Sequence, residues 1–443
     1  MREARSAAAG QTETGHSYRW VVLAMAFLGV FGALGFGRFG YSAVLPAMQK
    51  GLHINSAAAG SLASWNLIGY TLASAVGGIF SQKLGPRKVI AIGMMLSAVG
   101  MLATGFVNTL AGASACRLIT GIGNGLVLVP SISLMAAWFE SRRLGLASTI
   151  VPSGSSLTLV VVGLAAPALI RAGGDSGWRI TWYVFAGATF ALGIISFLVQ
   201  RDRPPGTARG SIHEIELDEN APESIRARLS PPSFDLRPVI RSKYAWHGGA
   251  VYMLFGIAFL LYFTFFQKRL TADLGYSSQT AGYLFMLLGI AGLVGGLSWG
   301  SFSDRFGREK TLALNLFLSG VGAFLLGTRA GLGGYVVSAI LFGSTGLSFP
   351  GLMGAACADR YGPKLASASL GLITILVGIG QAVGPLIGGA MNDALDSLAP
   401  SYLFSGAVFM VAAFGALLLP RGADYRDYVP TELPELPNRR RVK

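Results

Sequence analysis

Twelve stretches of about twenty or more apolar residues run through this 443-residue chain, at 20–46, 56–81, 88–108, 110–139, 143–171, 178–200, 245–267, 278–302, 310–328, 332–357, 364–392 and 401–420. A helix of about 20 residues crosses the hydrocarbon of a bilayer, whose interior offers no water to unpaired backbone groups. The runs are too long for strands and lack period-2 alternation, so each is predicted to coil. Composition agrees: 52% of residues are hydrophobic and 13% charged, against about 25% charged in a soluble domain. The 61 glycines suit helices that must approach closely without a hydrophobic drive between them. The expected fold class is an all-α membrane protein of twelve transmembrane helices in two pseudo-symmetric six-helix bundles.

All connections but one are short. The exception, 201–243, is polar and holds Pro204, Pro205, Pro222, Pro231, Pro232 and Pro238. It divides the chain into an N-terminal bundle at 1–200, a cytoplasmic linker at 201–243 and a C-terminal bundle with its tail at 244–443. With both termini placed in the cytoplasm, 27 Lys and Arg fall on the cytoplasmic side and 6 outside, the bias that sets orientation during insertion. The net charge of +14 is thereby assigned to topology and anionic lipid, not to nucleic acid. Residues 1–18 are polar and the first apolar run is too long for a cleavable leader. Cys116 and Cys357 lie in apolar runs and the four histidines show no ligand spacing, so neither a disulfide, a metal nor a cofactor is expected.

The halves repeat. Gly78-Ile-Phe-Ser-Gln-Lys-Leu-Gly-Pro-Arg-Lys88 follows the second run, and Gly300-Ser-Phe-Ser-Asp-Arg-Phe-Gly-Arg-Glu-Lys310 follows the eighth, 222 residues later. Pro130 and Pro350 are 220 apart, and Glu140 and Asp359 are 219 apart. Repeated bundles of this kind rock about a central site in secondary transporters.

These segments resemble the major facilitator superfamily, whose loop pattern is Gly-x-x-x-Asp-Arg-x-Gly-Arg-Lys/Arg. The second copy carries Gly300, Asp304, Arg305, Gly307 and Arg308. The first carries Gly78, Lys83, Gly85, Arg87 and Lys88, with Gln82 where the family has Asp. Arg117-x-x-x-Gly121-x-Gly123, Gly177-Trp178-Arg179 and Gly384-Pro-Leu-Ile-Gly-Gly389 are also similar to family patterns. The resemblance implies the major facilitator fold, alternating access, and a gating role for these loop residues together with Glu140 and Asp359. The alternative is that the basic turns serve insertion alone.

Charge inside the membrane costs about 2.5–3.5 kcal/mol per residue on insertion scales, so it marks function by default. Two such charges stand out, Arg38 and Arg117. No Asp or Glu occurs between Glu13 and Glu140, and the remaining acids fall in loops, tails or helix ends, so neither arginine has a carboxylate partner in the membrane core of either half, and an unpaired cation wants an anion. Arg38 stands eight residues before Pro46, read here as the outer helix end, which puts it about 12 Å deep. It either binds an anion or snorkels to the outer headgroups. Arg117 either contacts ligand or holds packing. Neutral side chains that could complete a substrate site are Asn66, Tyr70, Asn124, Tyr262 and Gln381. Each could instead make an interhelical hydrogen bond, or in the aromatic stripe of the seventh run, packing.

Paired catalytic carboxylates, a Cys–His arrangement and a P-loop lysine motif are all missing from the sequence, so an enzyme is not expected. The sequence points to a secondary transporter, functional as a monomer in a bacterial inner membrane, moving a small organic anion, expected to be a carboxylate. The alternatives are efflux of neutral or lipophilic solutes, and a non-transporting sensor on the same fold. Reporter fusions at residues 210 and 443 should both read as cytoplasmic; an external signal at either would refute the topology.

Overall fold

The computed structural model describes residues 18–139, 141–204 and 237–420; the side chains of Gln82, Ser141, Arg142, Leu144, Arg237, Pro238 and residues 362–368 are outside the description. The expected linker therefore lies largely outside the described residues, as does Glu140. Every regular element among the described residues is helical. We number the membrane helices α1 (Tyr18–Leu52), α2 (Ser56–Leu84), α3 (Pro86–Thr104), α4 (Leu110–Trp138), α5 (Ser141–Gly173), α6 (Gly177–Val199), α7 (Lys243–Asp273), α8 (Ser278–Phe306), α9 (Arg308–Gly327), α10 (Gly331–Tyr361), α11 (Ser369–Leu395) and α12 (Ala399–Leu417).

Two boundaries differ from the sequence expectation. Helix α1 does not stop at Pro46 but runs on to Leu52, where His53 caps it in a left-handed conformation at φ 52°. Proline is tolerated inside a membrane helix because packed neighbours take over the freed carbonyl. The backbone between α10 and α11 also stays helical, so that Phe349–Leu395 forms one 47-residue helix through the polar connection. Hydropathy marks where a chain leaves the membrane, not where its hydrogen-bonded turns end.

The short turns after α2 and α8 are built alike. Gly85 and Gly307 adopt φ of +88° and +93° and each starts the next helix, a conformation an L side chain resists. The second glycine of each motif copy, Gly85 and Gly307, is thus required by backbone geometry.

Helix pairing shows the two-fold repeat in space. Within the first half α2 packs on α4 and α3 on α6; within the second, α8 packs on α10 and α9 on α12. Between the halves α2 meets α11, α5 meets α8 and α1 meets α7. Exchanging the halves converts the first of these contacts into the second and leaves the third in place.

All the closest contacts between halves lie away from the side that holds Tyr18, Val199 and Lys243. On that far side a Cβ at Gly60 would stand 2.2 Å from the Pro385 carbonyl oxygen, and one at Gly282 2.2 Å from that of Gly163. Only glycine allows these backbones to touch. Toward the terminal side the same four helices separate, and a Cβ at Gly78, Gly145, Gly296, Gly300 or Gly371 would meet nothing within 4 Å. The molecule is closed on the far side and open on the terminal side.

A carboxylate latches the closed side. Asp393, at the end of α11, accepts hydrogen bonds from the Ser56 and Ala57 amides at 2.8 and 2.7 Å. These are free N–H groups in the first turn of α2, where the helix dipole favours negative charge. Asn392 and Lys268 both donate to the Ser56 hydroxyl. Replacing Asp393 by Ala should shift the balance toward far-side opening by about 1–2 kcal/mol, the scale of a charge-assisted bond at a helix terminus. Spin labels at positions 50 and 395, in a background lacking Cys116 and Cys357, should show a longer distance population in the variant. An unaltered distribution would mean that Asp393 does not hold the closure.

Candidate functional site

Arg38 lies in a π-helical segment, Phe31–Phe39, at the middle of α1. With α1 ending at Leu52, it stands 14 residues from the far end, about 21 Å. That corrects the shorter distance to the helix end read from Pro46. Single π turns inside α-helices recur at functional sites, where they redirect side chains. The glycines around Arg38 accommodate close neighbours: a Cβ at Gly35 would collide with Thr158, one at Gly37 with Asn124 and Thr120, and one at Gly40 with Phe185.

The guanidinium of Arg38 faces the cleft between the halves. One terminal nitrogen donates to Gln381 Oε1 of α11 at 2.8 Å. Its Nε is buried and has no hydrogen-bond partner. The rings of Phe39 and Tyr70 stand 5.4 and 5.5 Å from the guanidinium carbon, within cation–π range. Tyr252 of α7 is also within electrostatic reach. Beside this group the Ser42 hydroxyl of α1 donates to the Phe263 carbonyl of α7 at 2.5 Å. Helices α1, α2, α7 and α11 thus converge on one cation, two from each half. Of the sequence candidates, Arg38, Tyr70 and Gln381 come together here, and Asn66 and Arg117 border the same cleft.

Arg117 is satisfied within the first half. It is 1% exposed and donates to the Gly37 and Leu62 carbonyls at 2.5 and 3.4 Å. Its guanidinium carbon lies 4.5 Å from the Tyr41 ring and 5.6 Å from that of Trp182. Carbonyl dipoles and aromatic faces replace the missing acid, and the side chain ties α4 to α1 and α2. Asn66 donates through Nδ2 to the Arg117 carbonyl at 3.2 Å.

Asn124 and Tyr262 are placed apart from the cleft cluster. Asn124 is fully buried and hydrogen-bonds Ser97 at 2.8 Å, joining α4 to α3. Tyr262 is buried in the second half, its hydroxyl 2.8 Å from Ser338 and its ring stacked 3.5 Å from that of Phe342. Both are better described as packing residues, because the helix faces that carry them turn inward to their own bundles. The repeat explains Tyr262. Tyr41, Arg117 and Trp182 recur as Tyr262, Ser338 and Tyr402 at offsets of 221, 221 and 220, and Tyr402 donates to the Tyr262 carbonyl at 2.9 Å. The same three-helix joint is a cation on aromatics in one half and a hydroxyl cluster in the other.

The motif loops lie on the open side. Arg308 pairs with Asp304 at 2.7 Å and Asp359 at 2.6 Å and donates to Ser303 at 2.9 Å, tying α8, α9 and α10 together. In the first half the backbone amide of Arg87 donates to Asp202 at 2.7 Å, and its side chain to the Phe197 carbonyl at 2.6 Å. Asp202, just beyond α6, thus puts a carboxylate at the start of α3. Lys83 and Gly300 are exposed on this side and Gly78 is half-buried, and Arg305 is exposed next to Phe306. Gln82 and Glu140 lie outside the described side chains. Sequence reading missed Asp202 and Asp393. Their signal was the rarity of acids, 21 in the whole chain, with one at each of these helix boundaries.

The chain is similar to monocarboxylate transporter 1 of Rattus norvegicus, at 23% identity over 94% of this chain and 87% of the relative. It is similar to the gallate transporter of Pseudomonas putida, at 24% identity over 70% of this chain and 71% of the relative. Its fold matches the crystal structure of the nucleoside transporter NupG with a TM-score of 0.69, covering 91% of this chain and 98% of that one at 16% identity. The sequence model of a family described as the uncharacterised MFS-type transporter YbfB matches residues 30–417, and the protein belongs to that family of multi-pass major facilitator superfamily transporters.

Proposed function

We propose that this protein is a secondary transporter that carries a small organic carboxylate across a bacterial inner membrane by alternating access. It acts as a monomer, with both termini in the cytoplasm and the polar segment 201–243 as a cytoplasmic linker between the bundles. On that orientation the conformation described above faces inward. The observation that carries the reading is the Arg38 guanidinium, held at mid-membrane in the cleft between the halves with a buried, unpartnered Nε. A cation there needs a counter-charge, and no acidic side chain occurs between Glu13 and Glu140 to provide one. The printed names of the relatives, a monocarboxylate and a gallate transporter, agree with that charge.

The geometry suggests how binding couples to movement. Arg38 and Gln381 form a hydrogen bond that crosses from one half to the other. A carboxylate on the guanidinium competes with that bond, so occupancy and rocking are linked through the same side chain. A ligand shifts a conformational balance only through such differential contacts. The loop networks of Arg308 with Asp304 and Asp359, and of Arg87 with Asp202, are the proposed gating elements on the cytoplasmic side. Acids in the described helices lie at helix ends, among them Asp273, Asp304, Asp359 and Asp393, so a proton, if coupled, travels with the substrate. Net movement is driven by gradients or exchange.

Arg38→Gln should cost about 2–5 kcal/mol in anion binding, the scale for truncating a desolvated charge pair. Arg38→Lys keeps the charge but loses the planar fork, so it should bind more weakly and still transport. Affinity and counterflow are to be measured in proteoliposomes, with folding followed separately by thermal melting. Near-normal anion affinity in a folded Arg38→Gln protein would overturn the anion site.

A further inference from the structure

Asn66 carries an atom that packing leaves unused. The residue is 1% exposed and borders the cleft together with Arg38. Its Nδ2 donates to the Arg117 carbonyl at 3.2 Å. A carbonyl can only accept, so the amide orientation is fixed, with Nδ2 on Arg117 and Oδ1 left over. That Oδ1 is buried without a hydrogen-bond partner. Asn66 lies one helical turn from Tyr70, on the same face of α2, and Tyr70 flanks the Arg38 guanidinium. Two residues that border the cleft therefore each carry an orphan buried atom, a donor in Arg38 Nε and an acceptor in Asn66 Oδ1. Most buried polar atoms in folded proteins are paired, so two that border one cleft describe the ligand that would pair them.

We propose that Asn66 is a specificity residue that accepts a hydrogen bond from a hydroxyl of the substrate, so that the transporter selects hydroxy-carboxylates over unsubstituted carboxylates. The inference rests on the anion reading of Arg38 and adds a second point of recognition to it. A hydroxyl fits better than an ammonium. Asn66 is hydrogen-bonded to the backbone of Arg117 and shares its cleft with Arg38, and two guanidiniums repel a third cation in a low-dielectric cleft. A site that pairs a substrate hydroxyl also discriminates sharply, because the analogue lacking it leaves the buried acceptor unsatisfied.

The test is isothermal titration calorimetry on the full-length protein in lipid nanodiscs. The probes are matched sets: propionate, lactate, alanine and lactamide; and benzoate, its three hydroxy isomers and their carboxamides. At least one hydroxy acid should bind about tenfold or more tightly than its unsubstituted parent, while alanine should not outperform propionate. In Asn66→Ala, and in the shorter polar variant Asn66→Ser, that ratio should fall to about one, while the preference for acid over carboxamide, which reads Arg38, survives. No hydroxyl preference in the wild type, or one that persists in both variants, overturns the role of Asn66 and leaves the anion reading standing. Carboxamides that bind as well as their acids, or a failure of every acid to bind, overturn the anion reading and this inference with it.

Discussion

A guanidinium buried within a membrane-spanning helix, with no acidic side chain near it in the sequence, has to be accommodated by everything around it. The first half contains two of them. Arg117 is accommodated within its own half, by the Gly37 and Leu62 carbonyls and the rings of Tyr41 and Trp182. Arg38 is accommodated in part, by the Gln381 amide oxygen and the faces of Phe39 and Tyr70. Desolvating a charge costs several kcal/mol even after relaxation, so the difference between the two environments is a functional asymmetry. One arginine is tied into its own bundle, and the other keeps a buried Nε without a hydrogen-bond partner.

The duplicated architecture shows where the two halves have diverged. The three-helix joint at Tyr41, Arg117 and Trp182 recurs as Tyr262, Ser338 and Tyr402, with the charge replaced by a hydroxyl. The cleft accordingly has its positive potential on one wall, while the facing wall offers Gln381, Tyr252 and the Phe263 carbonyl. Under the proposed function, such a division lets an anion bind mainly to one half and be released when the other half moves. The motif loops diverge in a similar way. A carboxylate at the start of α9 comes from Asp304 and Asp359 by ion pairing with Arg308. At the start of α3 it comes from Asp202, outside the motif, which accepts from the Arg87 backbone amide.

Closure of the far side uses two kinds of contact with different energetics. Glycines along α2–α11 and α5–α8 bring backbones together and gain dispersion over a long seam. The Asp393 carboxylate on the first amides of α2, with Lys268 and Asn392 on Ser56, is a compact polar cluster at the membrane boundary. Packing of this kind is bistable, since a close-packed seam either forms or separates. A polar cluster of few bonds can therefore set which side of the molecule is open without adding much to the overall stability.

The sequence by itself determined the crossings, the repeat and the existence of an unpaired cation in helix one. Hydropathy and glycine spacing are local and additive, so they can be read run by run, and the 222-residue offset of the two loops exposes the duplication directly. Helix limits were less legible: α1 continues through Pro46 and α10 through to α11, because hydrogen-bonded turns persist where hydropathy falls. What only the tertiary structure decided is which polar side chains share the cleft. Arg38 and Gln381 are 343 residues apart, and Asp393 is 337 from Ser56; no local pattern links them. Asn66 and Asn124 look alike in sequence, each an asparagine in a membrane helix. One borders the cleft with a free oxygen and the other is fixed against Ser97. The rotation of each helix about its own axis separates them, and that rotation is set by the packing of all its neighbours at once.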